Sequence, residues 1–268
     1  MKDMKLLYFA ELIVKEAGKI LKEAVNTKLI LNFKNNDYQD IVTKYDIEIE
    51  CLLIKRILEV FPSHSFITEE KTYLEQGFKE FTWIIDPIDG TTNFVSIGKD
   101  FTISLALYKN KQPLLGVVYD VMKDEMYSAI SGKGAFLNNN PLESKKVNYR
   151  LIEALIDFSL NTISIFKESE NIDISRLVKD IRGHRAYGAA SLSICKIPLG
   201  QLQGYISAKL NLWDYAAAII FLIEMGGFAY FDGSKMVEYS LFPGVFIATE
   251  NKKMCEELNI KLNNYCIK

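Results

Sequence analysis

Residues 83–94 read W-I-I-D-P-I-D-G-T-T-N-F, and the rest of the chain is organised around this stretch. Trp83, Ile84 and Ile85 are a short apolar run that predicts a buried strand. The strand leads into Asp86, Pro87, Ile88 and Asp89, and then into Gly90, Thr91 and Thr92. Two carboxylates three positions apart, held by a proline and followed by a glycine, make a compact oxygen-rich site. Mg2+ prefers carboxylate, carbonyl and water oxygens, so such a site suits it. The G-T-T that follows can open a helix, whose N-terminus offers free N–H groups and a positive dipole end to an anion such as phosphate. Asp, Pro and Gly also build ordinary turns, so spacing alone leaves a metal–phosphate site and a plain turn both open.

Upstream, Leu6, Leu7, Ala10, Ile13, Val14, Ala17, Ile20 and Leu21 recur at helical spacing and predict one long amphipathic helix over 3–25. Residues 32–39 are polar and turn-rich and read as a mobile loop. A second helix begins near Asp46 and stops at Phe61-Pro62-Ser63. Ser65–Thr68 reads as a short strand that delivers Glu69 and Glu70, with a polar connector over 71–81. Downstream, strands at 101–109, 113–120, 124–130 and 134–138 form an antiparallel meander with short connections. The second half reads as a strand at 154–158, a helix near 171–180, a basic turn at 182–185 and a small-residue helix at 189–197. A strand at 204–208 and one apolar helix from Trp213 to Met225 follow, then strands near 228–231 and 245–249 and a last helix at 251–261. The pattern weakens near 140–150. The expectation is two tightly packed lobes, 1–145 carrying most of the metal ligands and 146–268 closing the site, in one continuous unit.

Composition narrows the function. Of 268 residues, 49% are hydrophobic and 25% charged, which is ordinary for a soluble globular protein. Lys plus Arg number 32 and Asp plus Glu 34, so the net charge is −2 and gives no electrostatic footprint for nucleic acid or membrane. Cys51, Cys195, Cys255 and Cys266 are scattered, form no C-x-x-C pair and have only two His to help, which argues against zinc. The charged N-terminus is unlike a secretory signal. The expected setting is the reducing cytoplasm with free thiols. The most apolar run, 216–223, is too short to span a bilayer. Cys51, His64 and Trp83 read as packing residues, and His184 as part of a surface loop.

Glu69, Asp86, Asp89 and Asp214 all fall at strand ends or helix starts, where side chains can point into one crevice. Several anionic ligands are what a group of Mg2+ ions requires for phosphoryl transfer to water. Alone, Asp214 reads equally well as a helix cap and Glu69-Glu70 as solvated surface.

The joint pattern is more specific. D-I-V-T-K-Y-D at 40–46, P-S-H-S-F-I-T-E-E at 62–70, the stretch at 83–94, G-V-V-Y-D at 116–120, G-K-G-A-F at 132–136, L-W-D-Y-A-A-A at 212–218 and E-M-G-G at 224–227 together resemble the inositol monophosphatase family. The resemblance runs from about residue 8 to 250. It implies a mixed α and β fold, a layered α-β-α-β-α sandwich of the sugar phosphatase type, in a homodimer. It implies Mg2+ as cofactor, two or three ions per site. The metal ligands would be the carboxylates of Glu69, Asp86, Asp89 and Asp214 and the carbonyl of Ile88. Thr91, Glu69 and Asp46 would be the catalytic residues around the attacking water. Gly90, Thr91 and Thr92 would cradle the phosphate, with Asp214 also beside the substrate. Lys34 resembles a family lysine near the metal.

The implied activity is hydrolysis of a small sugar or polyol monophosphate, inositol 1-phosphate by resemblance. Fructose-1,6-bisphosphatase and 3′(2′),5′-bisphosphate nucleotidase activities are alternatives. A non-enzymatic role as a partner in RNA biogenesis or transcription is a further one. The family's inositol enzymes carry an acid seven residues before Asp214, where this chain has Ser207, with Lys209 close after. Lys209 in the pocket would favour a second anionic group over a polyol ring; Lys209 outside it would say nothing. Thr92 stands where the bisphosphate nucleotidase branch tends to carry Lys, which argues mildly against that branch.

Overall fold

The structure, a computed structural model, describes residues 2–27, 31–33, 41–74, 77–144, 148–235 and 242–265. Helix α1 (Lys2–Ala24) buries Leu7, Ala10, Ile13, Val14, Ala17 and Leu21, the stripe expected from their spacing. Strands β1 (Leu31–Phe33) and β2 (Ile41–Thr43) pair antiparallel and lead into α2 (Lys44–Val60). Then come β3 (Ser65–Thr68), β4 (Phe81–Asp89), the short α3 (Thr91–Ile97), β5 (Thr102–Lys109), β6 (Gln112–Asp120), β7 (Glu125–Ile130), β8 (Gly134–Leu137) and β9 (Asn140–Pro141). These seven strands, β3 to β9, form one sheet in chain order. Only β3 and β4 are parallel; the rest is the expected meander.

The second sheet has six strands in the order β11-β10-β12-β15-β13-β14. They are β10 (Leu155–Asp157), β11 (Gly183–Arg185), β12 (Gly204–Leu210), β13 (Phe228–Phe231), β14 (Ser234–Lys235) and β15 (Gly244–Thr249). Helices α4 (Leu160–Ser169), α5 (Ala190–Lys196), α6 (Leu212–Tyr215), α7 (Ala218–Glu224) and α8 (Lys252–Asn264) complete the chain.

Side-chain alternation turns these elements into layers. Trp83, Ile85, Leu105, Leu107, Val117 and Tyr119 pack in one core with α1 and α2. Their neighbours Ile84, Ala106, Tyr108 and Val118 belong to a second core with α5, α6 and α7. That core also takes Phe246 and Ala248 from the second sheet, while Ile206, Ala208 and Ile247 join a third core with Phe166 of α4 and Leu258 of α8. Each sheet is apolar on both faces, so three helical layers cover two sheets, and the α-β-α-β-α sandwich is present.

Some local expectations change. The strand at Trp83–Ile85 runs on to Asp89. The polar stretch before 171 holds α4, started by Ser159, whose Oγ accepts the Thr162 N–H at 3.0 Å. Only Thr162 and Phe166 of it are buried, which is too sparse to show as a period. The helix expected near 171–180 is a 3-10 segment, Ile174–Lys179. The basic turn is strand β11, and His184 packs there, its Nε2 2.6 Å from the Phe158 carbonyl.

The apolar helix from Trp213 is two helices. At the break the Tyr108 hydroxyl donates to the Ala216 carbonyl at 3.1 Å. His64 and Trp83 pack as expected: the indole N–H donates to His64 Nδ1 at 3.0 Å, and the imidazole stacks between Phe61 and Phe81. Cys51 is exposed on α2, against the packing expectation. It, Cys195 and Cys255 are free thiols, and Cys266 lies outside the described residues. Among the described residues no helix is long and apolar enough to cross a membrane.

Two features of this packing can be tested. The backbone of β6 touches the start of α7 at Gly116, where a Cβ would stand 2.4 Å from the Ala217 carbonyl oxygen. Gly116→Ala should lower unfolding free energy by about 1–3 kcal/mol in urea titrations; an unchanged midpoint would show that the contact yields freely. Glu11 is only 8% exposed and accepts the Ser128 hydroxyl at 2.6 Å, and burial raises its pKa above the ordinary value. A folded-state pKa above the unfolded one means that ionised Glu11 weakens the fold. That penalty is complete above the folded pKa and gone below the unfolded value near 4.5. Glu11→Gln should therefore gain stability relative to the unmodified protein as pH rises from about 4 to 7, and a difference that stays flat across that range would contradict it.

Candidate active site

The D-P-I-D segment bends the sheet. Asp86 pairs with Ser104 and Asp89 with Thr102, so three steps on β4 oppose two on β5. This is a β-bulge, placed at a proline that has no N–H for the ladder. Its consequence is chemical. In a regular strand, residues three apart face opposite sides of the sheet. One extra residue returns Asp89 to the side of Asp86 and turns Ile88 into the core under α1 and α2. Asp86 is 2% exposed, and its Oδ1 accepts the Ile88 N–H at 3.1 Å.

The other acids arrive on neighbouring elements. β3 lies parallel to β4, with Thr68 beside Ile85, so both strands end at the same edge and Glu69 follows directly, its N–H donating to the Ile85 carbonyl at 3.2 Å. Asp89 bridges to α5: its Oδ1 accepts the Ala190 N–H at 3.0 Å, and its Oδ2 accepts the Ser191 N–H at 2.7 Å and the Ser191 hydroxyl at 2.6 Å. Asp214, in the first turn of α6, reaches back to the Asn211 N–H at 2.8 Å, so its capping role is real and coexists with its place in the site. Asp46 caps α2 in the same way, its Oδ2 accepting the Thr43 N–H and hydroxyl, each at 2.7 Å. Its Oδ1 lies 3.2 Å from the Thr91 hydroxyl, which is also 2.9 Å from the Ile88 carbonyl oxygen.

The acids disturb one another. Burial pushes the Asp86 carboxyl well above the usual range, and Glu69, Asp89 and Asp214 push it further. Burial raises Asp214, with Glu69 and Asp89 adding to it. Burial raises Asp89, while the bonds from Ser191 and Ala190 pull the other way. Asp46 is raised to about 6, by burial first, with Glu69 adding to the effect and the Thr43 bonds opposing it. Among the described residues no three His, Cys, Asp or Glu side chains are gathered tightly enough to grip one ion. The donor set is nevertheless hard oxygen throughout, and a crowd of buried carboxylates is what a divalent cation relieves.

A cleft of about 470 Å3 opens beside this cluster. Asp89 and Asp214 line it, and a wall built from β10 and β12 supplies Asp157, Tyr205, Ser207 and Lys209. Gly90 starts α3 in the left-handed region, with φ of 89°. Thr91 is half-buried and Thr92 exposed on the first turn of that helix. Lys34 falls outside the described residues. A larger cleft of about 800 Å3, lined by α1 residues such as Tyr8, Glu11 and Leu12, holds none of Asp46, Glu69, Asp86, Asp89 and Asp214.

Three contributors escape a reading of motifs. Glu50 of α2 is fully buried and accepts bonds from the Thr68 hydroxyl at 2.9 Å, the Glu70 N–H at 2.8 Å and the Thr72 N–H and hydroxyl at 2.8 and 2.7 Å. It anchors the loop that presents Glu69. The signal was its spacing: Asp46, Glu50, Leu53 and Ile57 share one helix face. Ser191 ties Asp89 to Thr102, with the two hydroxyls 2.7 Å apart. Asp157, at the end of β10, is buried and accepts the Ser193 hydroxyl at 2.5 Å. Nothing local in the sequence marks Ser191 or Asp157.

The geometry of Asp89 yields a test. Read from sequence alone, Asp89→Asn should abolish turnover and spare the fold. Four donors to its carboxylate, the Thr102 hydroxyl at 3.4 Å included, make it structural as well. Asn cannot accept at both positions, so Asp89→Asn should also cost about 1–3 kcal/mol of unfolding free energy. Denaturant titration alongside a phosphate-release assay separates the two effects, and full stability in the variant would show that the α5 contacts carry no weight.

Comparison with known proteins places the chain in context. A model described as the inositol monophosphatase family matches residues 3–265. The inositol-1-monophosphatase of Bacillus subtilis is 36% identical over 218 residues, 80% of each chain. Among solved structures, inositol monophosphatase-II from Staphylococcus aureus superposes with a TM-score of 0.83 at 31% identity, covering 98% of this chain and 96% of that one. An IMPase/NADP phosphatase complexed with Mg2+ and phosphate gives 0.86 at 25% identity, covering 98% and 97%.

Proposed function

Because the chain belongs to the inositol monophosphatase family and is therefore a phosphoric monoester hydrolase, we propose that it hydrolyses the phosphate monoester of a small sugar or polyol in a Mg2+-dependent reaction, with inositol 1-phosphate within its range. The observation that carries this reading is the bulge that turns Asp86 and Asp89 to one side of the sheet, where Glu69 and Asp214 raise the Asp86 pKa from beside them. Mg2+, the ion bound with phosphate in the IMPase/NADP phosphatase neighbour, suits that donor set.

In this reading Glu69, Asp86, Asp89 and Asp214 hold the metal through carboxylate oxygens and Ile88 through its carbonyl. Two or three bound Mg2+ ions would offset the acids' charge, activate water and stabilise the leaving oxygen. The chain's own residues orient the attack. The Thr91 hydroxyl has one proton and two acceptors for it, Asp46 Oδ1 and the Ile88 carbonyl. With that proton donated in a hydrogen bond to Asp46, the lone pairs of Thr91 are left to accept a hydrogen bond from water. Asp46 is itself fixed by Thr43 at the start of α2, so the water-holding hydroxyl is set by the helix cap. Glu69 takes the water's proton as the water oxygen attacks phosphorus, the ester P–O bond breaks, and the departing oxygen takes a proton from water. Gly90 and the first turn of α3 face the phosphate with backbone N–H groups, and Asp214 adjoins the substrate. Residues 1–145 supply most of the ligands and 146–268 close the site. The proposed working unit is a cytoplasmic homodimer.

The test is phosphate release from a panel of sugar, polyol and nucleoside phosphates, with Mg2+ and with chelator. Hydrolysis should require Mg2+ and fall at least about a hundredfold when it is removed. No release from any compound at any Mg2+ concentration would defeat the phosphatase reading.

A further inference from the structure

Lys209 is the only cation among the described residues that line the cleft beside Asp89 and Asp214. Alternation along β12 puts it there. Ile206 and Ala208 point into the third core, while Tyr205, Ser207 and Lys209 line the cleft. The β12–β15 register shifts between Ser207 and Leu210, so Lys209 sits where the strand bends. It is exposed, and among the described residues it has no ion-pair partner.

The rest of that wall is neutral or already engaged. Asp157, its one acid, is 3% exposed and holds the Ser193 hydroxyl at 2.5 Å and the Tyr187 N–H at 3.3 Å through one oxygen. Ser207 is uncharged, and Asn161 is exposed on the first turn of α4, at the cleft. An ammonium close to a buried acid cluster, yet paired with none of its members, is a donor waiting for an anion from outside. The cleft volume, about 470 Å3, is within the range of small-ligand sites.

We propose that this end of the cleft binds a second anionic group of the substrate through Lys209. The preferred substrates are then phosphate monoesters that carry another phosphate or a carboxylate, over neutral polyol monophosphates. This rests on the phosphatase reading for the scissile phosphate and extends it to the far wall.

The test compares fructose 1,6-bisphosphate with fructose 1-phosphate and fructose 6-phosphate, which differ from it only by one phosphate. Both kcat/KM with Mg2+ and Kd by calorimetry with Ca2+ in its place are measured, for the unmodified protein, Lys209→Met and Lys209→Arg. The unmodified protein should favour the bisphosphate about tenfold or more. Lys209→Met should lose that margin through KM and Kd, with the monophosphates changed by less than about twofold, and Lys209→Arg should retain it. Equal treatment of all three compounds by the unmodified protein, or an equal loss for all three in Lys209→Met, would overturn the proposal. If no compound is hydrolysed the phosphatase reading falls, and the Kd comparison still decides the role of Lys209.

Discussion

Carboxylates crowded at the end of one sheet repel one another, and much of the structure serves to hold them there. Two like charges about 4 Å apart near a protein surface cost on the order of 4 kcal/mol. A hydrogen bond to a charged group returns about 1.5–3 kcal/mol. The chain supplies such bonds at almost every member. Asp46 takes two from Thr43, Asp89 takes three from Ala190 and Ser191, and Asp214 takes the Asn211 amide. Glu50 takes four and fixes the loop that carries Glu69. The donors come largely from helix starts, where free N–H groups would need partners in any case. Capping and site-building can therefore share one set of bonds, and the helix cap at Asp214 is compatible with a place in the candidate site.

The layering follows from a second constraint. A sheet that is apolar on one face needs one cover; both sheets here are apolar on both faces. The middle layer, α5 to α7, has to satisfy two sheets at once. It does so with small residues, Ala216, Ala217 and Ala218 among them, and with a glycine on β6 that lets the strand reach the Ala217 backbone. The same layer delivers Asp214 and the amides that hold Asp89, so the packing between the sheets and the placing of these acids share one set of helices.

What could be read in the sequence was whatever a period or a joint motif encodes. The α1 stripe, the meander and the spaced motifs that resemble the family led to the right family and layered fold. The β-bulge left no such signal. Strict alternation would send Asp86 and Asp89 to opposite faces, and only pairing with β5 shows the extra residue. The apolar run at 216–223 predicts one helix from Trp213, and at its break the Ala216 carbonyl accepts from Tyr108, more than a hundred positions away. Helix α4 buries just Thr162 and Phe166, too few to show as a period. The residue type of Cys51 predicts packing, whereas its helix turns it to solvent. For the bulge and the helix break, a contact distant in sequence decides against a local rule; for α4 and Cys51, the face that the helix turns inward decides.

The acid cluster and the far wall of the cleft differ in how firmly each is tied to the fold. Asp89, Asp46 and Glu50 hold elements together and Asp214 caps its own helix, so a change at any of them disturbs the structure around the site. Lys209 holds nothing. It stands exposed on a bend of β12, with no ion pair among the described residues, while its neighbours Ile206 and Ala208 carry that strand's share of the core. A position free of structural duty can change identity at little cost in stability. A chain that keeps its carboxylates for structural reasons can therefore alter what it selects by altering one face of one strand. On the proposed function, that asymmetry would put the general chemistry on β4 and the discrimination between substrates on β12.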